Sequence, residues 1–264
     1  MLDIQNICKT FNAGTINEKQ ALRGVSLHLN EGDFVTVIGG NGAGKSTLMN
    51  AVAGTWPVDS GSISIDGVDV TGLPEHKRAA YIGRVFQDPM MGTAATMQIE
   101  ENLALAARRG KSRGLKVGIT AAERESYVEA LKILDLGLES RLTSKVGLLS
   151  GGQRQALTLL MATLIKPKLL LLDEHTAALD PKTAAKVLDA TDRIIQRDGL
   201  TTLMITHNMK DAIAHGNRLI MMYEGRIVID VAGEDKKKLT VPQLLELFSK
   251  VSGSDEADDK LLLS

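Results

Sequence analysis

The sequence predicts an α/β fold with a mainly parallel sheet, preceded by a strand-rich antiparallel region and interrupted by an inserted helical block. Three observations predict it. Short apolar runs at 34–38, 169–172 and 200–206 suit strands buried on both faces, as parallel strands are. Helical stretches alternate with these runs in the last third of the chain, the β-α-β order of a parallel sheet. A strand-dense first third gives way at about residue 88 to a helix-rich stretch that ends near 150. At 264 residues, and about 150 residues per domain, one or two domains are expected, enough chain to bury a core without disulfides or metal.

In chain order, residues 4–9, 21–29, 34–38, 62–65 and 82–86 carry alternating or apolar strand patterns separated by Gly, Asn and Asp turns. Residues 12–20 are polar and read as a long hairpin connection. Helical spacing appears at 100–109 and 121–134. Between these, 108–114 is basic and reads as a mobile, solvated connection. A helix follows at 151–165, stopped by Pro167, then the strand 169–172. Pro181 marks a helix start, and that helix runs to about Arg197. Strands follow at 200–206, 219–223 and 226–231. After Gly233 the chain turns polar, then offers one amphipathic helix at 241–250 and an acidic tail at 252–264, expected to fray. No internal repeat is visible.

Composition narrows the function. Hydrophobic residues make up 44% and charged residues 24%, ordinary globular values that exclude disorder, collagen and a small disulfide scaffold for the whole chain. Thirty-one basic residues against 32 acidic ones give a net charge of −1, which argues against a nucleic-acid-coating protein. Cys8 is the only cysteine, so no intrachain disulfide forms and no Cys/His cluster has zinc spacing; a reducing compartment fits. No secretory signal is read at the N-terminus. No stretch reaches the roughly 18 apolar residues that span a bilayer, so work at a membrane calls for another chain to do the spanning.

Two motifs carry chemistry. Gly39-Gly40-Asn41-Gly42-Ala43-Gly44-Lys45-Ser46 matches the phosphate-binding P-loop pattern, with a buried strand before it and a helix starting near Lys45 after it. Glycines let the backbone curl so that successive N–H groups face phosphate oxygens, and the helix N-terminus adds positive partial charge. Lys45 reaches the β- and γ-phosphates, the Ser46 hydroxyl binds Mg²⁺, and Thr47 is close enough to touch the α-phosphate. The second motif is the apolar run 169–172 ending in Asp173 and Glu174. A parallel strand delivers its C-terminal residues to the ligand side of the sheet. Asp173 then holds Mg²⁺ through water, and Glu174 polarises the attacking water.

Leu149-Ser150-Gly151-Gly152-Gln153, with these two motifs, resembles the signature of ABC-type ATPases. Other landmarks stand in that family's order: Gln87 resembles its Q-loop glutamine, Leu179-Asp180 its D-loop, His207 its switch histidine, and Phe11 its adenine-stacking aromatic. Phe11 has a second reading, as a hairpin core residue. The resemblance covers about 1–232. It implies a P-loop NTPase (RecA-like) core with an N-terminal antiparallel β subdomain and an inserted α-helical subdomain. The core is expected at 1–87 and 155–232, the helical subdomain with the signature at 88–154, and a C-terminal extension with one helix and an acidic tail at 233–264.

The resemblance also implies ATP and Mg²⁺ as cofactors and a head-to-tail homodimer sandwiching two ATP. Ser150, Gly151, Gly152 and Gln153 then close over the nucleotide bound by the other copy, and Asp180 reaches across. Lys45, Gln87, Glu174 and His207 form the catalytic set, and Ser46, Gln87 and Asp173 the metal set. Two departures stand out: His175 occupies a position where proline is usual, and the middle of the signature helix, at Leu159, Leu160 or Met161, lacks the usual arginine. His175 reads as a subfamily mark or as a pH-sensitive ring.

One ATPase unit without a membrane span resembles the separate ATP-binding subunit of a transporter. The chain as a whole resembles bacterial import ATPases that partner a branched-chain-amino-acid-type permease and, indirectly, an extracytoplasmic solute-binding protein. These act at the cytoplasmic face of the cell membrane on an amino acid or similar small solute. The hairpin connection also resembles ATPases of lipoprotein release and macrolide efflux. Soluble ABC ATPases of ribosomes or DNA form a third class; they usually carry two ATPase units, zinc cysteines or long coiled coils, and no nucleic-acid partner is expected here. Met90, Met91 and Met97, with Ala94 and Ala95, either dock the permease or fill the subdomain core.

Overall fold

In the computed structural model, which describes residues 1–111 and 118–252, the chain opens with three strands, β1 (Leu2–Phe11), β2 (Lys19–Leu29) and β3 (Phe34–Ile38). Helix α1 (Lys45–Ala53) follows, then β4 (Ser60–Ile65), β5 (Val68–Asp69), α2 (Glu75–Arg78) and β6 (Ile82–Val85). The helix-rich stretch contains α3 (Ile99–Ala106), α4 (Ala121–Lys132) and α5 (Gly151–Thr163). The alternating stretch is β7 (Leu169–Asp173), α6 (Pro181–Asp198), β8 (Thr201–Ile205), α7 (Met209–Ala214), β9 (Arg218–Tyr223) and β10 (Arg226–Ala232), followed by α8 (Gly233–Lys238) and α9 (Val241–Ser252). Among the described residues no helix is long and apolar enough to cross a membrane.

The chain divides into two compact units, Met1–Arg78 with Thr201–Ser264, and Ala79–Leu200. In the first, β1 pairs antiparallel with both β2 and β4, Leu2 facing Leu29 on one side and Ile65 on the other. The buried residues Leu2, Ile4, Leu27, Leu29, Ile63 and Ile65 supply one apolar face of this sheet, as period-2 alternation requires. The same unit holds a second sheet region in which β3 lies parallel between β8 and β9, and β10 pairs antiparallel with β9. Every residue of β3 and of β8 is buried. Helices α7 and α9 cover part of it through a cluster of Ile38, Met209, Ala212, Leu219, Met221, Ile229, Leu244 and Phe248.

The amphipathic helix expected in a C-terminal extension is therefore part of the first unit's core. The polar segment before it forms α8, with Glu234 and Asp235 in its first turn and Lys236, Lys237 and Lys238 in its last, the charge order that complements the helix dipole. Lys236 is buried and donates to the carbonyls of His215 and Gly216.

Arg78 fixes the far end of α1. Its guanidinium is buried and donates to the carbonyls of Ala51 (2.7 Å), Val52 (2.9 Å), Leu73 (2.8 Å) and Thr71 (2.9 Å). The first two belong to the last turn of α1, whose carbonyls lack helical partners. Arg78→Met removes a charged donor and strands several buried acceptors, so it should destabilise the protein by about 3 kcal/mol. Urea denaturation checks this; an unchanged midpoint contradicts it.

In the second unit β6 and β7 pair in parallel, Ile82 facing Leu169 and Val85 facing Leu172. Helix α5 packs closely against β6: a Cβ on Gly83 would sit 2.5 Å from the Ala162 carbonyl oxygen. Glu100 of α3 accepts two hydrogen bonds from Arg124 of α4, at 2.6 and 2.9 Å, and this pairing holds the Glu100 carboxyl below its ordinary value. Compactness thus divides the chain differently from its motifs. The second unit starts at Ala79, where β6 pairs with β7 and carries α5, and it runs on through α6.

The basic segment expected as a solvated connection is anchored where it is described. Arg109 donates to the carbonyls of Ala162 and Ile165, at the end of α5 and just beyond it, where backbone acceptors lack helical partners. Arg108 donates to Ala104 at 2.8 Å and to Gly118. The rest of that segment, from 112, and the acidic tail from 253 lie outside the described residues.

Candidate functional site

The P-loop joins β3 to α1 in the first unit, and its backbone is built on glycine. Gly39 has φ +147°, Gly42 +80° and Gly44 +103°. A Cβ on Gly39 would lie 2.2 Å from the Met222 carbonyl oxygen, and one on Gly44 2.6 Å from that of Ala21. A bond from Ala43 N–H to the Gly40 carbonyl (3.1 Å) closes the turn. Gly44 is the N-cap of α1 and offers no side-chain cap, so the N–H groups of the first turn have no side chain from that position to satisfy them. Asn41, Gly42 and Ser46 are exposed and Thr47 is half-buried. Lys45 is buried, its ammonium donating to the carbonyls of Gly39 (2.5 Å) and Gly40 (3.2 Å). A helix N-terminus whose N-cap has no side chain, a nearby ammonium and a backbone cradle that a Cβ would fill fit a phosphate chain. Gly39→Ala should cost about 1–3 kcal/mol through overpacking alone and weaken nucleotide binding with it. Denaturation and equilibrium binding check this, and a variant with native stability and affinity contradicts it.

Lys19, which the sequence pattern did not single out, adds charge here: its Nζ lies 3.1 Å from where a Gly42 Cβ would be. His207 of the same unit follows β8 and is exposed, and the Asn208 side chain next to it caps α7 by accepting from the Lys210 and Asp211 N–H groups. Phe11 ends β1 half-buried and outside the core, so it is not the hairpin core residue of its second reading. Its ring meets Trp56 edge-on at 5.0 Å, with the Lys9 ammonium 5.6 Å from its centroid. Asp59 steadies this strand end, accepting from Lys9 Nζ at 2.9 Å and from the Thr10 N–H at 2.6 Å.

The second unit holds the acidic pair. Four buried leucines carry β7 to Asp173, whose carboxylate accepts from Arg84 at 3.4 Å. Arg84, on the neighbouring strand, also stacks over the Phe86 ring at 4.6 Å. Glu174 has φ +44°, a left-handed conformation that non-glycine residues adopt at a cost of about 1–2 kcal/mol and that clusters at functional sites. Its carboxylate accepts from Gln87 Nε2 at 3.2 Å. Two sequence-predicted residues far apart in the chain thus meet.

Ser150 is the N-cap of α5, forming a capping box in which its hydroxyl accepts from Gln153 N–H and the Gln153 side chain accepts from Ser150 N–H. Gly152 is required by close packing on α6, since a Cβ there would lie 1.9 Å from Thr183 Cγ2. Asp180 caps α6, and Thr183 holds its carboxyl below the ordinary value through side-chain and backbone hydrogen bonds. Ser150, Gln153, Leu136, Thr183, Lys182 and Lys186 line a cleft of about 330 Å³.

Arg154, absent from the sequence prediction, is buried. It donates to Thr93 Oγ1 at 2.6 Å and meets the Met90 sulfur, while Gln155 Nε2 donates to the Phe86 carbonyl at 2.9 Å. The signature helix is therefore bonded to the chain on either side of Gln87. Met90 and Met91 are 60% and 67% exposed, so they do not fill the subdomain core; Met97 is half-buried.

Ser46 of the first unit offers a hydroxyl, and in the second unit Asp173 offers a carboxylate and Gln87 an amide oxygen; each is a hard oxygen ligand of the kind Mg²⁺ takes. Among the described residues no cluster of three or more His, Cys, Asp or Glu could cage a metal. Few protein ligands, with phosphate and water completing the shell, is the usual Mg²⁺ arrangement.

Residues 22–177 match a family model described as ABC transporter. The tyrosine transport ATP-binding protein of Clostridioides difficile (strain R20291) is 44% identical over 248 residues, covering 94% of this chain and 98% of the relative. The methionine import ATP-binding protein MetN of Bartonella henselae is 33% identical, covering 95% of this chain and 74% of that one. A solved dimeric structure described as a post-hydrolysis state of the ATP-binding cassette MJ0796 bound to ADP and Pi matches with a TM-score of 0.75. Its identity is 30%, over 88% of this chain and 98% of that one.

Proposed function

The chain belongs to the ABC transporter family, and from that premise we propose that it is the ATP-hydrolysing subunit of a membrane importer for an amino acid. The single observation that carries this is the 44% identity to a tyrosine transport ATP-binding protein along 98% of that protein's length. Two copies work head to tail at the cytoplasmic face of the membrane, beneath separate permease chains of the branched-chain-amino-acid type. An extracytoplasmic binding protein delivers the solute to the permease.

The residues divide the work. The P-loop from Gly39 to Gly44 and the first turn of α1 hold the phosphates through backbone N–H groups, Lys45 neutralises the β- and γ-phosphates, and Thr47 touches the α-phosphate. Phe11 stacks on the base. Ser46 and Asp173 would hold Mg²⁺, which would supply positive charge against the developing phosphate charge. Glu174 accepts the proton of the attacking water, and such general-base help is worth about 10²–10⁴-fold in rate. His207 contacts the γ-phosphate and orients that water. Gln87, bonded to Glu174, reports the state of the site to the chain after it. Ser150 to Gln153 of the second copy close over the nucleotide, with Asp180 reaching across. The exposed Met90 and Met91, the first of them tied to α5 by Arg154, form the adaptable surface that meets the permease.

Uptake of radiolabelled amino acids by cells with and without the chain tests the reading. We expect the rate for one amino acid, with tyrosine the first to try, to fall to background when the chain is removed or carries Glu174→Gln. Unchanged uptake of every amino acid contradicts amino-acid import.

A further inference from the structure

We infer that His175 is a positioning residue that locks the turn carrying Glu174 onto helix α6 through a hydrogen bond to Thr191. The inference rests on the proposed role of Glu174 and adds a residue to it.

Glu174 needs outside support. Its φ of +44° is disfavoured for a residue with a Cβ, and such conformations persist only where the surroundings over-determine them. One support is local: the Ala177 N–H donates to the Glu174 carbonyl at 3.0 Å, closing a four-residue turn. The second is His175, inside that turn. Its ring is 2% exposed and places Nε2 3.1 Å from Thr191 Oγ1. Thr191, equally buried in α6, donates its only hydroxyl hydrogen to the Val187 carbonyl at 2.8 Å. With that hydrogen on Val187 the hydroxyl oxygen accepts from the ring, and we take the proton to be on Nε2, with His175 the donor. The chain His175–Thr191–Val187 ties the residue after Glu174 to the backbone of α6, the helix that Asp180 starts.

The test uses His175→Leu, Thr191→Val, the double variant and Thr191→Ser. His175→Leu leaves the Thr191 hydroxyl bonded to Val187, so Thr191 keeps a partner, and Thr191→Val removes the same link from the other side with the His175 ring left in place. We expect amide exchange at Ala177 to speed up about tenfold in His175→Leu and Thr191→Val, with exchange in β7 and α6 unchanged. Thr191→Ser should behave as the parent, and the double variant no worse than either single one. ATP turnover should follow, with kcat down about tenfold and KM for ATP within about twofold. At one fixed neutral pH, the ring ¹⁵N shifts of His175 should report the Nε2–H form in the parent protein. Native exchange at Ala177 in both single variants, additive losses in the double variant, or an Nδ1–H ring each overturns the inference. A parent protein that hydrolyses no ATP in any state overturns the proposed function instead, and the exchange and ¹⁵N readouts still decide the link.

Discussion

Glu174→Gln should bind ATP, lose hydrolysis by about 10²–10⁴-fold, and collect as an ATP-bound dimer. The substitution keeps the size of the side chain and its reach to Gln87, 3.2 Å away in the parent, and asks nothing new of the backbone at φ +44°. It removes only the ability to take a proton from water. With ATP uncleaved, the contacts that close the pair persist. Phosphate release and size-exclusion chromatography with ATP measure the two halves. A variant that turns over ATP at the parent rate contradicts the role of Glu174. One that stays monomeric with ATP, both as purified subunit and with its permease, contradicts the head-to-tail sandwich.

The second large effect is on binding. Lys45→Ala should weaken ATP affinity by about 10- to 100-fold, the loss expected when a hydrogen bond to a charged group worth about 1.5–3 kcal/mol is removed. The Lys45 ammonium already lies inside the loop, bonded to the carbonyls of Gly39 and Gly40, so its charge is positioned before a phosphate arrives. Equilibrium titration with a fluorescent ATP analogue measures it. Parent-like affinity contradicts the assignment of this loop to phosphate.

What could be read from sequence was local. Residues 39–46 carry their own explanation, because a backbone that must curl around phosphate needs glycines at fixed offsets. The leucine run before Asp173 announces a buried strand because a parallel strand covered on both faces needs apolar side chains on both. The signature helix announces its start through Ser150 and Gln153, three residues apart as a capping box requires.

What could not be read depends on partners distant in the chain. Arg84 meets Asp173, Arg154 meets Met90 and Thr93, and Lys19 approaches Gly42; nothing at those positions marks them. Arg109 belongs to a run that looks like solvated charge, yet it serves the carbonyls at the end of α5. Helix α8 escaped notice because it has no apolar periodicity, only a favourable order of charges. His175 looked like a titratable ring beside the acidic pair; only Thr191, sixteen residues on, reveals it as a donor buried against α6.

The measurement that tests the central claim most directly is a pull-down of tagged Glu174→Gln from detergent-solubilised native membranes with ATP, its companions identified by mass spectrometry. Import predicts a many-span permease without a large external domain, recovered together with a solute-binding protein. A four-span partner with a large external domain contradicts import, and recovery of soluble partners alone contradicts membrane transport itself.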